Sequence, residues 1–251
     1  MRKFGLIGYP LEHSFSKKYF TEKFSREHVV DCVYNNYPLA DILQLPELIS
    51  SDTDLEGLNV TIPYKSEVIN YLDYINTEAG QVGAVNVLKI KRLKDSNLLY
   101  GFNSDIDGIR DTLIPVYSAN LVNAIVLGTG GSSKAVCHVL KKINVKYTLI
   151  SRNNKPGCLT YSDIGPELLN NTQLIVNTTP LGMYPDLESK PDIRYDLLNE
   201  THILFDLVYN PEMTGFLRTG KEQGCRILTG LRMLHSQAER SWEIWNDDTI
   251  F

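Results

Sequence analysis

Asn123-Ala124-Ile125-Val126-Leu127 runs directly into Gly128-Thr129-Gly130-Gly131-Ser132-Ser133, and no other stretch of the 251-residue chain limits its fold so tightly. A short, uncharged, apolar run bounded by turn residues predicts a buried strand. The next stretch, 135–142, spaces its apolar residues as a helix does. A buried strand that turns through glycine into a helix belongs to a parallel sheet covered by helices. The glycines let the backbone bend tightly and approach a phosphate group, whose charge would rest on the N–H groups of the helix N-terminus. Ser133 replaces the third glycine of the usual G-x-G-x-x-G spacing, and serine is small enough for close helix–strand packing.

The following strand, 147–150, ends in Ser151-Arg152-Asn153. A dinucleotide fold for NAD places an acidic residue here to hold the ribose diol, whereas an arginine accommodates the extra phosphate of NADP. This chain has the arginine and no acid, and Lys155 stands ready to assist it. Pro156-Gly157 and Gly165-Pro166 then break any long helix. Residues 174–176 and 203–205 read as further buried strands, and Met233, Leu234, Ala238, Trp242 and Trp245 give a terminal helix with an apolar face.

Ahead of the glycine turn, the alternation of short apolar runs with amphipathic stretches predicts a second α/β unit. Strands are expected at 4–7, at 32–34 and ending at 58–60, with helices at 16–26 and at 42–49, the latter interrupted by Pro46. Residues 85–92 and 98–102 read as a hairpin turning through Lys94-Asp95-Ser96-Asn97, and 106–113 as a helix ended by Pro115. With 43% hydrophobic residues, the chain can bury two modest cores. A net charge of −5 and an even scatter of Lys and Arg argue against a nucleic-acid surface. No run approaches the ~20 apolar residues of a membrane span, nor is a secretory signal expected. Cys32, Cys137, Cys158 and Cys225 form no C-x-x-C pair, and the five histidines show no ligand spacing. The chain reads as a reduced, cytoplasmic protein without a metal.

Two charged residues stand out in polar, turn-forming runs: Lys65 in Asn59-Val60-Thr61-Ile62-Pro63-Tyr64-Lys65, and Asp105 in Gly101-Phe102-Asn103-Ser104-Asp105. Ordinarily such a lysine is a solvated loop charge and such an aspartate a helix cap. Held together in a dry cleft, however, a lysine and a carboxylate can exchange a proton near neutral pH, as the reduction of a carbonyl requires.

These runs belong to a series of eight blocks. It opens with Gly8-Tyr9-Pro10-Leu11-Glu12-His13-Ser14-Phe15-Ser16 and continues through the Lys65 run, Gly83-Ala84-Val85-Asn86, the Asp105 run and the glycine turn. Asn177-Thr178-Thr179-Pro180-Leu181-Gly182-Met183, Asp206-Leu207-Val208-Tyr209-Asn210-Pro211 and Gly230-Leu231-Arg232-Met233-Leu234-His235-Ser236-Gln237 complete it. In content and order the series resembles the shikimate dehydrogenase family. That resemblance implies a substrate domain over 1–105, with a mainly parallel sheet, completed by a C-terminal helix over 230–251. A Rossmann-like NADP-binding domain would occupy 106–229. The implied activity is reversible reduction of 3-dehydroshikimate to shikimate in aromatic amino-acid biosynthesis, with Lys65 and Asp105 as acid–base pair. Ser14 and Ser16 would hold the substrate carboxylate, while Thr61, Asn86, Asp105, Gln237 and, more weakly, Tyr209 would hold its hydroxyls. Gly128, Thr129, Gly130, Gly131, Ser132, Ser151, Arg152, Lys155, Asn177, Thr178, Met183 and Gly230 would hold NADP. A small-molecule substrate and a monomer or homodimer are expected. An NAD-preferring quinate/shikimate dehydrogenase would share most of these blocks, and a non-catalytic nucleotide-binding regulator would keep the fold but have no use for the Lys65–Asp105 pair.

Overall fold

The computed structural model describes every residue except His13, Asp95, Ala119 and Phe251, so one residue of the opening block and one of the expected hairpin turn lie outside the described residues. The chain divides into two compact units, residues 1–104 with 238–251, and residues 105–237. The last helix is therefore shared between units at 237/238, rather than entering the first unit at 230. Its opening turns have partners in the second unit, where Gly230 sits against the Leu207 carbonyl.

In the first unit, β1 (Arg2–Gly8), α1 (Ser16–Arg26), β2 (Cys32–Pro38), α2 (Leu45–Ser51) and β3 (Leu55–Val60) form helix-linked crossovers, so β1 pairs in parallel with both β2 and β3. Then follow β4 (Tyr74–Ile75), α3 (Thr77–Val82) and the hairpin of β5 (Val87–Arg92) with β6 (Asn97–Phe102). The sheet runs β2-β1-β3-β5-β6-β4, antiparallel only at β3–β5 and β5–β6. Pro46 does not interrupt a helix. It occupies the first turn of α2, where a missing N–H is harmless, after a separate 3-10 turn over Ile42–Gln44. One face of the sheet buries Leu45, Leu55, Leu58 and Leu88, and the other buries Phe4, Phe20, Tyr34 and Trp245. Trp245 comes from the final helix, stacks on Phe4 with ring centroids 4.8 Å apart, and donates its indole N–H to the Leu88 carbonyl at 2.9 Å. The C-terminal helix thus completes the first unit.

The second unit opens with α4 (Asp105–Leu113), followed by β7 (Asn123–Leu127), α5 (Gly131–Lys142), β8 (Lys146–Ser151), β9 (Leu159–Thr160), α6 (Pro166–Asn170) and β10 (Leu174–Asn177). β11 (Ile203–Asp206), α7 (Gly215–Glu222), β12 (Arg226–Leu228) and the part of α8 (Gly230–Asn246) up to Gln237 complete it. Every strand pairing is parallel in the order β12-β11-β10-β7-β8-β9. From β7 the chain winds outward to β8 and β9, then crosses back to β10 on the opposite side. That reversal puts a crevice beyond the carboxyl ends of β7 and β10, where doubly wound sheets bind their ligands. In place of a long helix after β8, the Pro-Gly breaks give the short strand β9.

Candidate active site

The glycine turn lies at the switch point. Gly128 has φ of 109°, a conformation strained for any residue with a side chain, and a Cβ there would meet Thr178 Oγ1 at 2.6 Å. A Cβ on Gly130 would meet nothing, so the space beside the turn is open. α5 begins four residues earlier than its sequence pattern suggests, at Gly131, and no side chain caps it. The start of a twelve-residue helix with a glycine at its N-cap, next to open space, suits a phosphate. Ser133 is buried at the third glycine position and donates its hydroxyl to the Gly130 carbonyl at 2.7 Å, which holds the turn closed.

Cations gather at the end of β8. Ser151 is buried, Arg152 and Lys155 are exposed, and Lys155 Nζ donates to Thr129 Oγ1 at 3.0 Å. Tyr161, which the sequence did not single out, is pushed up by burial, with the nearby Arg152 guanidinium opposing. Ser151-Arg152-Asn153, which end the strand, include no acidic residue.

Asn177 is fully buried at the end of β10. Its Oδ1 accepts from the Thr179 N–H at 3.0 Å and from Thr179 Oγ1 at 2.6 Å, while Nδ2 donates to Asp206 Oδ1 at 3.0 Å. Thr178 Oγ1 donates to the Leu127 carbonyl at 2.6 Å, tying this turn to the end of β7. Asp206 also accepts from the Val208 N–H and from Thr214 Oγ1, the N-cap of α7. Burial pushes its carboxyl up to about 6, with the Thr214, Val208 and Asn177 hydrogen bonds opposing. Met183 is exposed on the loop that follows, Tyr209 is half-buried after β11, and Gly230 opens α8.

In the first unit, the polar candidates lie beyond the carboxyl ends of β1 and β3. Ser14 and Ser16 are half-buried, and Ser14 Oγ accepts from the Ser16 N–H at 3.3 Å. Phe15 holds the N-cap position of α1 without a side-chain cap bond, while Ser14 takes the first N–H of the helix. The Thr61 N–H donates to the Ile7 carbonyl at 2.9 Å, and the Thr61 carbonyl accepts from Tyr64 at 3.0 Å. Tyr64 is buried with its hydroxyl on the Leu39 carbonyl, and the Lys65 carbonyl accepts from the Val85 N–H at 2.6 Å. Lys65 is thus held on both sides by fixed backbone, its side chain half-buried.

Asn86 is 2% exposed, and its carbonyl accepts from the Val60 N–H at 2.9 Å, which brings it to the end of β3 with Thr61. Asn103 Nδ2 donates to the Ala84 carbonyl at 2.8 Å. Asp105 belongs to the second unit, 1% exposed, as the first residue of α4 rather than the cap before it. A carboxylate is favoured at a helix N-terminus. Gln237 is half-buried on α8, which packs against α4 where Gly108 meets Met233 and Gln237. Thr61, Lys65 and Asn86 are therefore gathered in one unit, and the glycine turn, Thr129, Lys155 and Thr178 in the other.

Dinucleotide-dependent oxidoreductases are the class this architecture defines: a doubly wound parallel sheet with a glycine turn at its switch point, joined to a second α/β unit that presents hydroxyl, amide and amine side chains. Comparison with known proteins narrows the class. Residues 6–88 match the model of the shikimate dehydrogenase substrate binding domain. The shikimate dehydrogenase (NADP(+)) of Methanococcus aeolicus is 35% identical over 96% of this chain and 90% of its own length. That of Clostridium beijerinckii is 36% identical over 98% and 93%. The solved Thermus thermophilus shikimate 5-dehydrogenase, in complex with NADP(H) and shikimate, superposes with a TM-score of 0.84 at 27% identity, covering 98% of this chain and 94% of that one. The chain belongs to the shikimate dehydrogenase family.

Proposed function

We propose that the chain catalyses the reversible, NADPH-dependent reduction of 3-dehydroshikimate to shikimate. The observation that carries this is the fixed turn that sets Lys65 and Thr61 beside Asn86, inside the segment that matches the family's substrate-binding model. The residues of the second unit fit NADP: a glycine turn packed tightly at Gly128 and open at Gly130, a helix N-terminus that starts from it, and exposed Arg152 and Lys155 where an NAD site would have an acid. Arg152 and Lys155 would take the 2′-phosphate, the first turn of α5 the pyrophosphate, and the Asn177–Thr179 turn with Met183 the nicotinamide end.

Bound NADPH supplies the hydride. Ser14 and Ser16 orient the substrate through its carboxylate, while Thr61, Asn86, Asp105, Gln237 and Tyr209 take its hydroxyls. As the carbonyl carbon is reduced, its oxygen gains negative charge. Lys65, as an ammonium, stabilises that oxygen and delivers the proton that completes the new hydroxyl; the neutral amine left behind takes a proton back from water, and the Asp105 carboxylate, as its partner, favours that return. In the oxidation direction the same pair removes the hydroxyl proton.

Steady-state oxidation of shikimate, followed by nicotinamide absorbance with NADP and NAD side by side, tests the proposal. Turnover with NADP at a clearly higher kcat/KM than with NAD is expected. No turnover with either cofactor would overturn it, and a preference for NAD or for quinate would replace it with the NAD-linked quinate/shikimate activity.

A further inference from the structure

In the first unit, Tyr34 on β2, Asn59 on β3, Ser241 on α8, Ser104 after β6 and Asn86 before β5 form one hydrogen-bonded line. Tyr34, Asn86, Ser104 and Ser241 are each 3% exposed or less, so solvent does not replace a lost partner cheaply. Two main-chain groups fix how both amides point. The Asn86 carbonyl can only accept, so Asn59 turns Nδ2 toward it at 3.3 Å and Oδ1 toward the Tyr34 hydroxyl, which donates at 2.8 Å. The other Asn59 Nδ2 proton goes to Ser241 Oγ at 2.8 Å. The Ser104 N–H can only donate, so Asn86 turns Oδ1 toward it at 2.7 Å and directs Nδ2 to Ser104 Oγ at 3.1 Å. Ser241 Oγ and Ser104 Oγ close the line at 3.2 Å, where either hydroxyl can donate.

We propose that Ser241 is a positioning residue: its hydroxyl, carried by the last helix, links Asn59 to Ser104 and so sets the Asn86 amide and the Ser104–Asp105 step before substrate arrives. The role rests on the reading that Asn86 holds a substrate hydroxyl. Without the Ser241 hydroxyl, one Asn59 donor loses its acceptor and Ser104 loses a neighbour that defines its rotamer. Asn86 keeps the Ser104 N–H on its Oδ1, but the hydroxyl that receives its Nδ2 is no longer fixed, and whatever ordering the substrate must then supply is subtracted from its affinity.

The test uses the full chain with Ser241→Ala and Tyr34→Phe, each alone and each combined with Asn86→Ala. Shikimate KM and kcat, NADPH affinity by fluorescence titration, and Tm are read for all. Ser241→Ala is expected to raise shikimate KM about three- to tenfold, the yield of one hydrogen bond, with NADPH affinity unchanged. In the Asn86→Ala background it should add little, because the two residues act in series. Tyr34→Phe keeps the ring volume, so it should fold and show the same pattern even if Ser241→Ala does not. A wild-type KM in Ser241→Ala and Tyr34→Phe while Asn86→Ala is impaired, or an equal rise with and without Asn86, overturns the role of Ser241 alone. A wild-type KM in Asn86→Ala overturns the reading of Asn86, and Ser241's role with it.

Discussion

Lys65 shows what a residue can reveal on its own and what it cannot. The turn that carries it is written into Thr61-Ile62-Pro63-Tyr64, and the sequence marks its chemistry, yet the bond from Val85 that holds its carbonyl is invisible until β3 and β5 are paired. If Lys65 delivers the proton, Lys65→Ala lowers kcat about 10²–10⁴-fold with far less change in shikimate KM, as expected for a positioned acid. Steady-state kinetics decide this, and a near-normal kcat would make the lysine a mere solvated charge. Arg152 is the complementary case at the cofactor end. Its exposure beside Lys155 leads us to expect that Arg152→Ala raises the KM for NADP by roughly ten- to a hundredfold, since a charge-assisted hydrogen bond contributes about 1.5–3 kcal/mol. The KM for NAD should hardly move, and equal losses with both cofactors would remove Arg152 from the 2′-phosphate. Asn59, Ser104 and Asp206 lie within the eight sequence blocks, yet no local pattern marks them, because their roles are hydrogen bonds to residues far away in sequence.

Among the elements, those with strong local signals were legible: the buried strands β7, β10 and β11, the β5–β6 hairpin, α1 and α8 all fall where apolar spacing puts them. Short elements were not. β4 and β9 have two residues each and exist only because a neighbouring strand offers them backbone partners, Tyr74 and Ile75 on β6, Leu159 and Thr160 on β8. α3 is six residues long, held by an Asn76 cap and a left-handed Gly83 rather than by any long periodic face. α8 reads clearly as a helix, but its seat does not. The Trp245 indole lies flat on the backbone of Gly57 in β3, where a Cβ would collide with the ring. Gly57→Ala should therefore destabilise the first unit by about 1–3 kcal/mol, the usual cost of overpacking a filled core. Urea melts would show it as a lower midpoint, and an unchanged midpoint would mean that the tryptophan moves aside without loss.

At the scale of the whole molecule, stability depends on pH through Asp206. Its folded carboxyl is pushed up to about 6 from the ordinary 3.8, so between those values the folded state holds a proton that the unfolded chain has released. Its contribution is fully present below about pH 4 and is lost as pH rises through about 6, a change of roughly 3 kcal/mol for a shift of about two pKa units. Asp206→Asn, which keeps the shape and cannot ionise, should remove that slope. Denaturant melts of both proteins at intervals from pH 4 to 7.5 measure it, and parallel curves would contradict the raised value. By itself, the sequence determined the two α/β units, the glycine turn, the arginine at the end of β8 and the lysine and aspartate in their polar turns. Each of these depends on residues adjacent in the chain, through backbone preference or apolar period. Only the tertiary structure decided that α8 is shared between units at 237/238, that Leu159 and Thr160 pair with β8, that Asp206 bonds Asn177, and that Ser241 bonds Ser104. Those outcomes hang on pairings between residues tens to hundreds of positions apart, where shape and unsatisfied backbone groups choose the partner and local pattern carries no trace of the choice.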